Sequence, residues 1–205
     1  MLYEFCAYGS DYEERRIIRW LTSKKFTPQP VICGKLVTFM DFETKKYVIP
    51  EGVTALGEQC FVDSEADNFD CFATKLILPA SLERIEDNAL VFTSFKSIVL
   101  ATENQHFVLH KGGLYTADGK RLIYVCTPNP EDPAATEHVV KDGTEVIDMG
   151  VPNNYVTTLH IPASVKRFGD GECFINWNEF KFYAPEDSFA ARFAEENGVE
   201  LILEK

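Results

Sequence analysis

Three stretches of the chain carry the same succession of apolar and polar positions. YVIPEGVTALGEQCF (47–61), LILPASLERIEDNAL (76–90) and LHIPASVKRFGDGECF (159–174) each begin with an apolar residue, any residue, an aliphatic residue and proline. A further apolar residue stands three positions after the proline (Val53, Leu82, Val165) and another at six (Leu56, Ile85, Phe168). Alternation before the proline predicts a short strand with one buried face, and the proline, having no N–H to donate, ends its pairing. The spaced apolar residues that follow predict a helical or turn segment returning its apolar side to the same interior.

Weaker copies fill the intervals. HVVKDGTEVIDMGV (138–151) keeps the register with Lys141 in the proline slot and Ile147 at six, SIVLATENQ (97–105) puts Ala101 there, and FYAP (182–185) restores the proline. The slot therefore recurs at 50, 79, 101, 141, 162 and 185, a unit of about 22 residues interrupted by two insertions. A single unit of this kind cannot bury its inner face alone, so the pattern predicts stacking of successive units around a shared interior. The small position that closes a unit holds Cys60, Ala89 and Cys173, which treats cysteine there as a buried packing residue.

These repeats resemble the leucine-rich repeats of the BspA-like type (bacterial leucine-rich repeat type 5), which occur in bacterial cell-surface and host-facing proteins. FVLHKGGLYTADGKRLIYV (107–125) resembles the hairpin insertion common in that family, and APEDSFAARFAEENGVEL (184–201) its closing unit. The resemblance covers roughly residues 45 to 205. It implies an α/β fold: a right-handed leucine-rich-repeat solenoid with a parallel sheet, one strand and one helical or turn segment per unit, a β-hairpin insertion and terminal caps. Two features depart from the family pattern. The glycine that follows the position-six aliphatic is kept at Gly57 and Gly169 but is Glu86 and Asp148 in other copies, and the copy at 138–151 lacks its proline.

The organisation that follows is an N-terminal helical cap over residues 1–44 and a repeat domain over 45–205. The domain includes the hairpin insertion at about 105–126 and a C-terminal capping unit at about 184–205. Within the first segment, Ser10 and Glu13 have capping-box spacing, Ile17, Ile18 and Leu21 share one face, and Pro28 enforces a stop, so a helix is expected over 10–26. A small independent module is the competing reading of that segment. Near the other end a helix is expected from Asp187 or Ser188 to Asn197-Gly198, with Phe189, Phe193 and Ala194 turned inward, followed by a strand over Val199–Leu203. Asp118-Gly119 between two alternating runs signals a two-residue hairpin turn. Thr127 to Ala135, with Pro128, Pro130 and Pro133, reads as a stiff connecting loop.

Composition narrows the partners. A formal net charge of -12 with scattered basic residues argues against nucleic acid or anionic lipid, because phosphate is bound by clustered Lys and Arg that displace counterions. The N-terminus lacks a basic start and apolar run, and no stretch approaches the roughly 20 apolar residues of a membrane-spanning helix. Six cysteines without a C-x-x-C unit read as reduced thiols. These features suggest the cytoplasm, whereas the family resemblance suggests the cell surface or secretion.

The residues able to carry chemistry each have a plainer structural reading. His106 and His110 are four apart, but along a strand that places them about 13 Å apart, too far for one ion. His138 takes the place of Tyr47 in its repeat and reads as a core residue. The acidic run Asp63, Glu65, Asp67 and Asp70 resembles the start of a calcium loop, yet Asn68 and Thr74 stand where that loop needs glycine and a bidentate Glu. No nucleophile motif or phosphate-cradling loop is present. The expectation is no catalytic residue, no cofactor, no metal and no enzymatic activity.

What remains is surface. If the slot fixes the register, the residue two before it points outward, giving Val48, Ile77, Val99, Val139, His160 and Tyr183. A second outward row comprises Lys46, Lys75, Ser97, Glu137, Thr158 and Lys181. The first row either contacts a partner across the concave sheet or simply supplies β-branched packing along the ladder. The expected function is a protein-interaction module, by resemblance of the bacterial surface or host-facing kind, with a protein partner. A cytoplasmic structural or regulatory scaffold is the alternative reading, and a cryptic enzyme the third.

Overall fold

The computed structural model describes residues 31–32, 35–36, 45–61, 73–129, 131–152, 155–169 and 176–204. The expected helix over 10–26, the acidic run at 63–70 and Cys173 lie outside the described residues.

Two short strands, β1 (Val31–Ile32) and β2 (Lys35–Leu36), pair antiparallel. The first full repeat supplies β3 (Lys46–Val48), a turn at the proline and then a two-residue strand β4 (Ala55–Leu56). The next supplies β5 (Lys75–Leu78) and β6 (Arg84–Ile85), and β7 (Ser97–Leu100) opens a third. Equivalent strands pair in parallel and in register: Tyr47 with Leu76 with Ile98 along β3–β5–β7, and Leu36 with Leu56 with Ile85 along β2–β4–β6.

The return segment thus differs from the expected helical or turn piece, because it carries a second short parallel ladder. At the slot the chain turns tightly, with the Val53, Leu82, Thr144 and Val165 N–H groups donating to the carbonyls of Pro50, Pro79, Lys141 and Pro162. Beyond that turn the backbone finds its partners in the neighbouring repeat, as when Glu86 N–H donates to the Leu56 carbonyl at 3.0 Å. Groups satisfied between repeats need no helix to satisfy them, and a helix this short would not nucleate.

The insertion is an antiparallel meander of β8 (Phe107–His110), β9 (Gly113–Thr116) and β10 (Arg121–Val125). Its tight two-residue turn falls at Lys111–Gly112, where both φ angles are positive (47° and 82°), the conformation that follows the strands' twist. The expected two-residue turn at Asp118-Gly119 is instead a longer connection. The Asp118 carboxylate accepts from the Thr116 hydroxyl and the Lys120 N–H there, and the register then shifts between Leu122 and Tyr124.

After a 3-10 turn at Pro133–Thr136, the repeats resume with β11 (Glu137–Val139), β12 (Val146–Ile147), β13 (Thr158–His160) and β14 (Arg167–Phe168). A second 3-10 turn (Trp177–Glu179) precedes β15 (Lys181–Pro185), helix α1 (Phe189–Asn197) and β16 (Glu200–Glu204). Parallel pairing orders one sheet β11–β13–β15–β16 and joins β10, β12 and β14 in the other. Helix α1 begins where its sequence signals it, with Ser188 Oγ accepting from the Ala191 N–H at 3.1 Å, and stops at Gly198 with φ 72°.

The inward repeat positions are buried from Tyr47 to Phe182, apart from Leu100, which is half-buried against the core. Tyr47, Leu76, Ile98, His138, Leu159 and Phe182 form the rungs, and Ile49, Leu78, Val140 and Ile161 follow two residues on. Leu56, Ile85, Ile147 and Phe168 close the interior from the return side. Burying each such aliphatic side chain contributes about 1.5–3 kcal/mol. The interior divides into two clusters, and the meander feeds both: Leu114, Ile123 and Tyr124 pack into the first, Tyr115, Leu122 and Val125 into the second. The insertion is therefore a partition with two apolar faces.

Candidate interaction surface

Strand alternation sends the residue next to each buried rung to the opposite face of the sheet. Val48 lies beside Ile77 and Ile77 beside Val99 across β3, β5 and β7, with Val48 and Val99 exposed at 49% and 41% and Ile77 half-buried. Val139 lies beside His160 and His160 beside Tyr183 across β11, β13 and β15, with Val139 exposed at 48% and the two aromatic side chains half-buried. The six residues expected to face outward do so. They make two rows, not one, because no pairing joins Val99 to Val139; the two sheets are separate and the meander lies between their strands in sequence and contributes to both cores.

The second row is a network that sequence order hides. The His160 ring lies flat on the Tyr183 ring, centroids 4.2 Å apart and planes 9° apart. Its Nε2 is 2.8 Å from Glu137 Oε1 and its Nδ1 2.9 Å from Glu204 Oε1, so one imidazole ties β11, β13 and β16 together. Beside it, Lys181 Nζ is 2.9 Å from Glu200 Oε1, and that hydrogen bond and charge hold the ammonium pKa above its ordinary value. Ile202, directly opposite Tyr183, extends the row by one strand.

The first row has the opposite electrostatic character. Lys46 stands directly across from Lys75 beside it, and like charges so placed are unfavourable in a sheet. The first row thus sets aliphatic side chains beside lysines, and the second sets aromatic side chains beside carboxylates.

Glu204, Ile202 and Leu203 were missed by the slot rule because β16 has no proline to set its register. The alternation of ELILE (200–204) was the available signal, since Glu200 and Ile202 continue the rows of Lys181 and Tyr183. His138 is buried, as its match to Tyr47 implied, and Cys60 is buried with Sγ 3.8 Å from the Ala89 carbonyl, the packing place its alternation with alanine predicted. Cys126 is a half-buried thiol whose pKa is pushed up to about 11 by burial, which leaves it unreactive. Among the described residues no group of three or more His, Cys, Asp and Glu side chains is arranged to hold a metal ion. No helix among them is long and apolar enough to cross a membrane.

No protein-family model matches the chain, and no curated protein matches it. Comparison with solved structures finds bacterial leucine-rich-repeat proteins. A leucine-rich repeat protein from Eubacterium ventriosum matches with TM-score 0.48 and 15% identity, over 79% of this chain and 50% of that one. A leucine-rich cell surface protein from Faecalibacterium prausnitzii matches with TM-score 0.44 and 15% identity, over 80% of this chain and 61% of that one. The pneumococcal vaccine antigen PcpA matches with TM-score 0.43 and 14% identity, over 80% of this chain and 68% of that one. Two of these three solved structures are described as leucine-rich-repeat proteins, and they are what the chain is similar to.

Proposed function

We propose that this chain is a non-enzymatic protein-interaction module, a right-handed solenoid whose outward sheet rows form the working surface. In this reading residues 45–205 are the repeat domain, residues 1–44 and about 184–205 close its ends, and the insertion at about 105–126 divides it. The observation that carries the functional reading is the exposure of Val48, Val99 and Val139 on strands whose neighbouring rung residues Tyr47, Ile98 and His138 are buried. Solitary exposed aliphatics are ordinary, but Val48, Ile77 and Val99 aligned rung on rung make one contact surface, and Val139 aligned with the stacked His160–Tyr183 pair makes a second. Extended repeat faces bind proteins in this way. The partner is a protein, and by analogy with the bacterial surface proteins it resembles, one met at the cell surface or on a host.

The test is capture from native extract by immobilised wild-type chain, by Ile77→Glu/Val99→Glu and by Val139→Glu/Tyr183→Glu. Each variant is first shown to keep the wild-type circular dichroism spectrum. The reading expects a protein held by the wild type and lost from at least one double variant. Equal retention by all three, or nothing held above an albumin control, contradicts it.

A scaffold inside the cell, using the same surface, is the second reading. The Cys126 thiol favours it, since reducing compartments keep thiols unpaired. Fractionation of cells expressing the full gene, with thiol counting on the native protein, separates the two readings.

A further inference from the structure

His138 is the one basic side chain among the described rungs, where Tyr47, Leu76, Ile98, Leu159 and Phe182 hold the equivalent places. It also stands at a thin joint in the stack. β11 pairs only with β13 and β7 only with β5, so among the described residues no ladder crosses between the halves on the side of the outward rows. The ladder that does reach the C-terminal repeats lies on the return side, where β10 meets β12 at two positions, Arg121 with Val146 and Leu122 with Ile147.

On the side of the rows the meander meets β11 through side chains. Tyr115 Oη lies 3.0 Å from His138 Nε2 and also accepts from the Lys141 N–H at 3.3 Å. A Cβ on Gly113 would stand 3.2 Å from His138 Cε1, so the β9 backbone closes tightly over the ring.

A charge is what this joint tolerates least. Burying an ion without a counterion costs far more than burying a neutral ring. The groups that face His138 are the Tyr115 phenol on β9 and, from the end of β8 and the turn after it, His110 and Lys111, both of which oppose a positive ring. Leu122 of β10 and Leu159 of β13 bring no charge. Glu137, next to His138 on β11, faces outward and pairs with His160. Burial holds the His138 pKa at about 4, and a ring uncovered by separation of β9 from β11 regains its ordinary 6.5. Each proton taken up between those values favours the separated form.

We propose that His138 is an acid-operated latch, whose protonation parts β9 from β11 and leaves the β10–β12 ladder as the hinge. The two outward rows lie on the halves so joined, and the latch sets whether they keep one fixed relation. It does not depend on which partner the rows meet.

The test is residue-resolved amide hydrogen exchange of the full chain at pH 7 and pH 4.5, with each rate divided by the intrinsic rate at that pH. The Lys141 N–H reports the latch, the Asp148 N–H bonded to the Leu122 carbonyl reports the hinge, and the Ile161 N–H bonded to the Tyr183 carbonyl reports the C-terminal sheet. Protection at Lys141 is expected to fall about fifty-fold between the two pH values, with the Asp148 and Ile161 amides remaining about tenfold or more better protected. His138→Leu places at this rung the residue that stands at 76 and 159, and His138→Gln keeps a polar side chain there. In both variants the fall at Lys141 is expected to shrink to about threefold or less. Unchanged protection at Lys141 in the wild type overturns the proposal, as does an equal fall in the variants. Loss of all three amides to one common value also overturns it, because the whole chain then unfolds and no latch opens.

Discussion

Tyr115 Oη lies 3.0 Å from His138 Nε2, a buried contact between the meander and the first strand of the C-terminal sheet. The Lys141 N–H also donates to the phenolic oxygen at 3.3 Å. Burial, then the positive charges of His110 and Lys111, lower the His138 pKa from 6.5 to about 4. The folded chain therefore takes up this proton less readily than the unfolded one, and the stability it represents is present above pH 6.5 and is lost as pH falls towards 4. The size is about 3 kcal/mol. Urea unfolding from pH 7 to pH 4 should show a steeper loss for the wild type than for His138→Gln, whose side chain does not titrate; parallel curves would refute the assignment.

Arg121 joins the repeats on either side of the insertion. Its Nη1 donates to the Ile85 carbonyl at 2.7 Å, and its Nη2 contacts both Asp148 Oδ2 and Asp87 Oδ1. Asp148 is buried, and burial raises its pKa even against the opposing effect of Arg121. Removing the cation leaves a buried carboxyl without its partner, so Arg121→Met should cost about 3–5 kcal/mol in denaturant unfolding. Asp148 stands where two other repeats have Gly57 and Gly169. Arg121→Met/Asp148→Gly should recover at least half of that loss, and strict additivity of the two single changes would contradict the coupling.

Leu76 and Ile77 are neighbours on β5 with opposite fates. Leu76 is wholly buried between Tyr47 and Ile98, whereas Ile77 faces outward. Leu76→Ala should destabilise by about 2–5 kcal/mol through the cavity it leaves. Ile77→Ala should cost clearly less, and the order of the two midpoints in urea checks the register of the whole ladder.

The Ser188 hydroxyl accepts from the Ala191 N–H and so satisfies one of the unpaired donors at the start of α1. Ser188→Ala should lower stability by about 0.5–2 kcal/mol in thermal unfolding, and Ser188→Asp should retain most of it. Equal midpoints for all three would remove the cap from the account.

The outward row could be read from the sequence because two signals agree at each strand: alternation over three or four residues, and a slot residue that fixes the phase. The return strands could not, since Ala55–Leu56 and Arg84–Ile85 are two residues long and no periodicity is defined over two positions. The break between Val99 and Val139 escaped because the insertion reads as a hairpin outside the stack. Its own sequence held the clue: Leu122 to Val125 are four consecutive apolar residues, the mark of a strand buried on both faces. The contacts of His160 with Glu137 and Glu204 span 23 and 44 residues, beyond what local pattern reaches.

The claim that the outward rows meet the partner is tested most directly by hydroxyl-radical footprinting of the chain alone and with the protein it captures. Tyr183 and His160 lie in the row, whereas Tyr155, 54% exposed, precedes β13 and lies outside it. Protection of Tyr183 and His160 on binding, with Tyr155 oxidised as before, is the predicted result. Protection of Tyr155 with Tyr183 and His160 unchanged would place the contact elsewhere.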